Sequence, residues 1–205
     1  MPRRRTPAND PTNNRERALH VAADLLTRLG YLGLTMDAIA REIGVTKPSL
    51  YYHFPGGKEY LFMALARRYL VTDQREIEQA IASVRTAPEQ VKAVMRWAFS
   101  RKWQSARQLR DAVRFLPEHH QQEAAELFRT HMFNPLHQVL QNGLERGELR
   151  PHDTWRATWV LLSLMSELVG VWPAELADQG STMPSTSHLE LTADALTDLF
   201  LKGVQ

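Results

Sequence analysis

The stretch that decides the fold runs Leu34-Thr35-Met36-Asp37-Ala38-Ile39-Ala40-Arg41-Glu42-Ile43-Gly44-Val45-Thr46-Lys47-Pro48-Ser49-Leu50-Tyr51-Tyr52-His53-Phe54. It reads as two short helices joined by a tight turn. Thr35 is placed to cap the first, and Asp37 sits at that helix's positive end, where a carboxylate is favoured. Ile39, Ala40 and Ile43 supply the apolar side. Gly44-Val45-Thr46 forms the turn, and Thr46 caps the second helix. Pro48 falls in that helix's first turn, where a missing N–H costs nothing. Leu50 and Phe54 share one face at i, i+4, and Pro55-Gly56-Gly57 ends the element. Such a unit presents the start of its second helix to base edges and phosphates. Hydroxyl, lysine and tyrosine side chains at that start suit the contact.

Working outward, Asn13 and Glu16 form a capping-box-like pair that opens a helix carrying Ala18, Val21, Ala22, Leu25, Leu26 and Leu29 at helical spacing. Gly30 is read as its left-handed stop. After Pro55-Gly56-Gly57 a long helix is predicted from about 58 to 84. Thr86, Pro88 and Glu89 open another, to about 103, and a further helix covers roughly 106–115. Residues 118–132 and 135–146 are two helices, or one kinked at Asn134-Pro135. Asp153 caps a strongly apolar helix to about 172. Residues 173–187 read as a loop, and a last amphipathic helix follows. No segment alternates with period two for long, so the chain is all-α with roughly nine helices. The expected domains are a disordered basic arm over 1–11, a helix-turn-helix domain over 12–57, and a helical effector-binding and dimerisation domain over 58–205.

The run from Leu34 to Phe54, followed by Lys58-Glu59 and Leu61, closely resembles the N-terminal domain of TetR-family transcriptional regulators. The resemblance extends from about Arg15 to Leu65, and Leu50-Tyr51-Tyr52-His53-Phe54 followed by Lys58-Glu59 is its most specific part. Pro55-Gly56-Gly57 is one residue longer than the commonest spacing before Lys58. The resemblance implies roles at the DNA. Thr35 bonds a phosphate, while Thr46, Lys47, Pro48 and Ser49 form the start of the recognition helix. Lys47 reaches a guanine edge, Tyr51, Tyr52 and His53 touch the backbone, and Lys58 holds a phosphate. Arg3, Arg4 and Arg5 either enter the minor groove or raise the local charge.

A single helix-turn-helix reads little DNA, and a two-fold dimer reading two half-sites solves this. In the resembled family the last two helices build the dimer. The candidate faces here carry Trp155 and Leu162 on one helix, and Leu189, Leu196, Leu199 and Phe200 on the other. The family also encloses a ligand cavity in its central helices. Met95, Phe99 and Trp103 form an i, i+4, i+8 stripe, and Phe115, Phe128, Phe133 and Trp159 complete the candidate ligand set. Such a stripe is more often core than pocket. Large aromatics suit a planar or lipophilic effector.

Composition trims the alternatives. Apolar residues make up 43% and charged residues 23%, both ordinary for a globular chain. Cysteine is absent, which excludes a disulfide scaffold, cysteine-ligated zinc and thiol chemistry. Residues 1–60 hold nine Lys/Arg and six acids, a net +3, against −1 for the remainder, so the overall +2 conceals a basic head. His119, His120, His131 and His137 show no metal-ligand spacing, and no metal or cofactor is expected. Ser163, Ser166 and Glu167 lack a nucleophile elbow. Uncharged runs stop well short of the ~20 residues a membrane span needs, so a cytoplasmic chain is expected. The sequence therefore reads as a dimeric regulator released from a palindromic operator by a small molecule. Two other readings stay open: a DNA-binding protein without such an effector, and an enzyme or carrier with a vestigial helix-turn-helix.

Overall fold

The computed structural model describes residues 11–99, 109, 111–168 and 186–204, with side chains over 14–99, 109, 111–165 and 193–203. The described residues include nine α-helices, a further helical stretch at 111–113 and no strand, the all-α architecture expected from the sequence. The helices are α1 (Pro11–Gly33), α2 (Met36–Ile43), α3 (Lys47–His53), α4 (Gly57–Ala82), α5 (Ala87–Phe99), α6 (Glu118–Phe128), α7 (Asn134–Glu145), α8 (Thr154–Leu168) and α9 (Thr186–Val204). They gather into two compact units. The described residues of Met1–Tyr69 with Gln108–Ala124 make one, and those of Leu70–Arg107 with Ala125–Gln205 make the other.

In the first unit α1 begins at Pro11, two residues ahead of the Asn13 cap read from sequence, with proline in the first turn where its fixed φ fits. Gly30 does adopt the left-handed conformation (φ 68°), but the chain resumes helix for one more turn. That extra turn buries Tyr31 and Leu34. The helix-turn-helix follows its sequence signals closely. Thr35 accepts from the Ala38 N–H at 3.1 Å, Thr46 accepts from the Ser49 N–H at 3.4 Å, and Gly44 closes α2 at φ 72°. Ile39, Ile43, Leu50 and Phe54 are buried with Leu19, Leu26 and Leu61.

The second unit packs α5 along α9, and α7 against α5 and α8. Its core holds Ile77, Val91, Val94, Met95, Phe99, Met132, Phe133, Leu136, Leu140, Leu161, Leu162 and Met165. Thr86 and Glu89 form the expected capping box: the Glu89 carboxylate accepts from the Thr86 N–H at 3.1 Å and the Thr86 hydroxyl accepts from the Glu89 N–H at 3.4 Å. Glu148 accepts from the Ala87 N–H at 2.6 Å, satisfying another orphan donor of α5, and Arg146 steadies it at 2.8 Å. Between α6 and α7 the chain neither breaks nor simply kinks. Residues Arg129–Phe133 widen into a π-helical turn, and the Asn134 N–H donates five residues back to the Arg129 carbonyl. Pro135 explains this: its ring clashes with a carbonyl four residues earlier, and a wider turn relieves the clash. The last helix starts at Thr186, so residues 186 and 187 leave the loop the sequence assigned them.

Gly143 of α7 faces the start of α5. A Cβ there would overlap the Ala87 methyl group and come within 2.9 Å of Leu149 Cδ1. Gly143→Ala is therefore expected to cost roughly 1–3 kcal/mol by overpacking, outweighing alanine's helix preference of about 1 kcal/mol. A urea midpoint at or above wild type would contradict this contact. Asp194 lies at 2.8 Å from both the Nε and an Nη of Arg96, which holds its carboxyl below the ordinary 3.8. Hydrogen bonds from Thr86 lower Glu89, and Arg146 lowers Glu148. Groups depressed in the fold stabilise it above their unfolded values and lose that stabilisation as pH falls through the folded ones. The thermal midpoint should decline below about pH 4.5, the ordinary value for a glutamate. Asp194→Asn should make the decline shallower, and an unchanged slope would remove Asp194 from this account.

Candidate nucleic-acid interface

The helix α3 is only seven residues long, too short to persist alone. Burial of Leu50 and of its following residue Phe54 holds it in place, and the Arg15 guanidinium lies 5.6 Å from the Phe54 ring centre. With that face committed, the opposite one is turned out. Thr46, Lys47, Pro48 and Tyr51 are exposed or half-buried, Ser49 is half-buried, and Tyr52 is 81% exposed. Tyr52 meets the His53 ring edge-on at 5.3 Å. The capping hydroxyls of Thr35 and Thr46 use lone pairs on backbone N–H groups, which leaves their O–H groups to donate to phosphate oxygens.

Lys47 is not a free side chain. Its ammonium lies 2.9 Å from one Asp37 oxygen and 3.1 Å from the other, so the starts of α2 and α3 are joined by an exposed ion pair. The hydrogen bond to Asp37 pushes the Lys47 pKa up. From the sequence alone Asp37 is legible only as a helix-end charge.

Lys58 opens α4 after a turn in which Gly57 takes φ 68° and donates its N–H to the Phe54 carbonyl at 2.8 Å. A Cβ on Gly57 would sit 3.6 Å from the Tyr51 ring, so Tyr51 and the start of α4 are neighbours. The Lys58 ammonium lies 4.0 Å from the centre of the Tyr31 ring, a cation–π contact. Burial lowers the Lys58 pKa. Tyr31 itself stacks on Phe115 and meets Phe62 edge-on. Its hydroxyl is buried with no hydrogen-bond partner among the described residues, and burial raises its pKa to about 12. Nothing in the periodicity announced Tyr31, because the sequence reading ended α1 one residue before it.

Residues 18–65 match the family described as bacterial regulatory proteins, tetR family. The first unit carries a TetR-family helix-turn-helix. The chain is 49% identical over 49 residues to the HTH-type transcriptional regulator LmrA of Bacillus subtilis, covering 24% of this chain and 26% of that protein. The chain is also 33% identical over 91 residues to the HTH-type transcriptional regulator BetI of Brucella canis, covering 44% and 45%. The matches thus span less than half the length of these curated relatives. Over most of the chain the likeness is one of fold. The transcriptional regulator FadR from Bacillus subtilis, solved in complex with stearoyl-CoA, superposes with a TM-score of 0.77 at 20% identity, over 93% of this chain and 99% of that one.

Most of the remaining ligand candidates gather in the second unit, where Trp159 lies 5.1 Å from the Phe133 ring. Met95, Phe99 and Phe133 are buried in the core of the second unit, and Phe128 is partly buried, stacking on Trp159. Trp159 is half-exposed, as is its neighbour on the same face, Trp155, which packs 4.4 Å from Phe133. Phe115 belongs with Tyr31 in the first unit, whereas Met95, Phe99, Phe128, Phe133 and Trp159 belong to the second. Leu162 and Phe200 are buried, Leu196 is partly buried, and Leu199 is 65% exposed. Trp103 and Arg3, Arg4 and Arg5 lie outside the described residues, as does the side chain of Leu189. No group of histidines and acids with metal-binding geometry occurs among the described residues. No described helix is long and apolar enough to cross a membrane.

The Lys58 environment gives a signed expectation. Desolvation disfavours the ammonium in the fold, so the charge costs stability at neutral pH and the cost is relieved as pH rises through the folded pKa. Lys58→Met, which keeps the stem against Tyr31, should melt at or above the wild-type temperature. A marked drop would mean that the cation–π contact outweighs desolvation.

Proposed function

We propose that this chain is a dimeric, sequence-specific DNA-binding transcriptional regulator, acting as a repressor released from a palindromic operator by a planar or lipophilic effector. One observation carries the DNA half of this reading: buried Leu50 and Phe54 present Thr46, Lys47, Ser49, Tyr51 and Tyr52 outward at the start of a capped helix. In this reading Lys47 reads a base, Thr35 and Lys58 hold phosphates, Tyr51 and His53 touch the backbone, and Pro48 shapes the approach. The basic head, net +3 over residues 1–60, adds a sequence-independent attraction. The names of the curated relatives support the regulatory role and speak against an enzyme.

The dimer half rests on the exposed apolar face of α8, with Trp155, Trp159 and Val160, and on Leu199 of α9. Two such faces pairing would set two recognition helices on one duplex. Release follows if an effector prefers the conformer whose half-site spacing no longer fits; reversing a 99:1 population takes about 5.5 kcal/mol of differential affinity. The helix α4 carries Lys58 at its start and buried Ile77 near its end. The complex of FadR with stearoyl-CoA supports a lipophilic effector. A second reading, DNA binding without a small molecule, is favoured by the burial of Met95, Phe99 and Phe133 in packed core.

The test is a selection of duplexes from a random pool by the purified full chain, followed by footprinting. Two related half-sites about one helical turn, ~34–36 Å, apart are expected. Lys47→Ala should relax one base position by about 1–3 kcal/mol while leaving the others intact. An unenriched pool would overturn the regulator, and a single protected half-site would overturn the dimer.

A further inference from the structure

The ion pair between Asp37 and Lys47 joins two helix starts across a sequence separation of ten residues. Both side chains are well exposed, so the pair adds little to stability. Its geometry is nonetheless specific, because both carboxylate oxygens meet the same ammonium. A lysine side chain is a flexible stem with a strongly hydrated point charge. Left alone beside a duplex, such a charge is drawn to the nearest phosphate, and that contact carries no sequence information.

We propose that Asp37 is a specificity-determining residue that acts through Lys47, restraining the ammonium at the start of the recognition helix and denying it to the phosphate backbone. The inference rests on the DNA-binding reading above and assigns a residue which that reading leaves idle. The Asp37 carboxylate has two effects. It repels phosphates, which weakens binding to any duplex, and it narrows the positions open to Lys47, which favours the base edge in front of it. Asp37 thus exchanges affinity for discrimination. Its place at the start of α2 holds it there, since α2 is capped by Thr35 and anchored by buried Ile39 and Ile43. The raised pKa of Lys47 is in keeping with the pairing.

The experiment uses the full chain, a duplex enriched by wild-type protein, and a shuffled duplex of the same composition. Asp37→Asn should bind the shuffled duplex more tightly, with a salt dependence steeper by roughly one, as for one gained phosphate contact. The ratio of enriched to shuffled affinity should fall roughly fivefold, the low end of what one base contact contributes. Asp37→Glu, which keeps the charge, should restore most of the ratio. In a Lys47→Ala background the substitution of Asp37 should no longer change the ratio. Without DNA, acylation of the Lys47 amine should be faster in Asp37→Asn than in wild type, and thermal melts should show both variants folded. An unchanged ratio, an unchanged salt slope, or an equal effect in the Lys47→Ala background overturns the proposal. If wild type enriches no duplex, the regulator reading fails and this inference falls with it. If wild type enriches one and Asp37→Asn keeps the ratio, only the assignment to Asp37 falls.

Discussion

The burial of Leu50 and Phe54 is the constraint on which the DNA-facing surface depends. A seven-residue helix has no independent stability, so its existence and its rotation both come from the two apolar side chains it surrenders to the core. Once they are seated, the phase of the helix is fixed, and Lys47, Tyr51 and Tyr52 are delivered to one side without further instruction. The caps at Thr35 and Thr46 then decide where each helix begins, and Gly44 decides where α2 stops. Arg17 reinforces the arrangement from α1 by donating to the Ile43 carbonyl at 2.6 Å, closing the end of α2 with a cation where the helix dipole favours one.

Much of this was legible in the chain because it is written in local chemistry. A capping threonine, a turn glycine and an i, i+4 apolar pair act within a few residues of themselves, and their signatures at Thr35, Gly44, Thr46 and Thr86 correspond to observed geometry. The readings that needed revision depend on partners far away in sequence. Gly30 was legible as left-handed, yet whether helix resumes after it depends on whether Tyr31 finds a pocket, and Phe62 and Phe115 supply that pocket from elsewhere in the chain. The wide turn before Pro135 is a compromise between a proline's steric demand and a core that needs helix on both sides. Periodicity sees only the second of these.

The site was legible in part. The residues of α3 were nameable from their pattern, but the commitments of its cations were not. Lys47 is occupied by Asp37 and Lys58 rests over Tyr31, so both lysines expected at the DNA are engaged within the protein itself. The stripe of Met95 and Phe99 shows the opposite limitation. Helical spacing identifies a buried face but does not distinguish a wall of solid core from a wall of a cavity, because both present the same side chains at the same interval.

The π-helical turn at Arg129–Phe133 has a consequence beyond accommodating a proline. Each residue of an α-helix advances the azimuth by about 100°, so one additional residue within a turn shifts everything downstream by that angle. Thus α6 and α7 keep separate rotational settings although no loop divides them. A single-residue surplus does the work of a joint: it lets Leu136, Val139 and Leu140 point inward on a schedule that the preceding helix does not dictate.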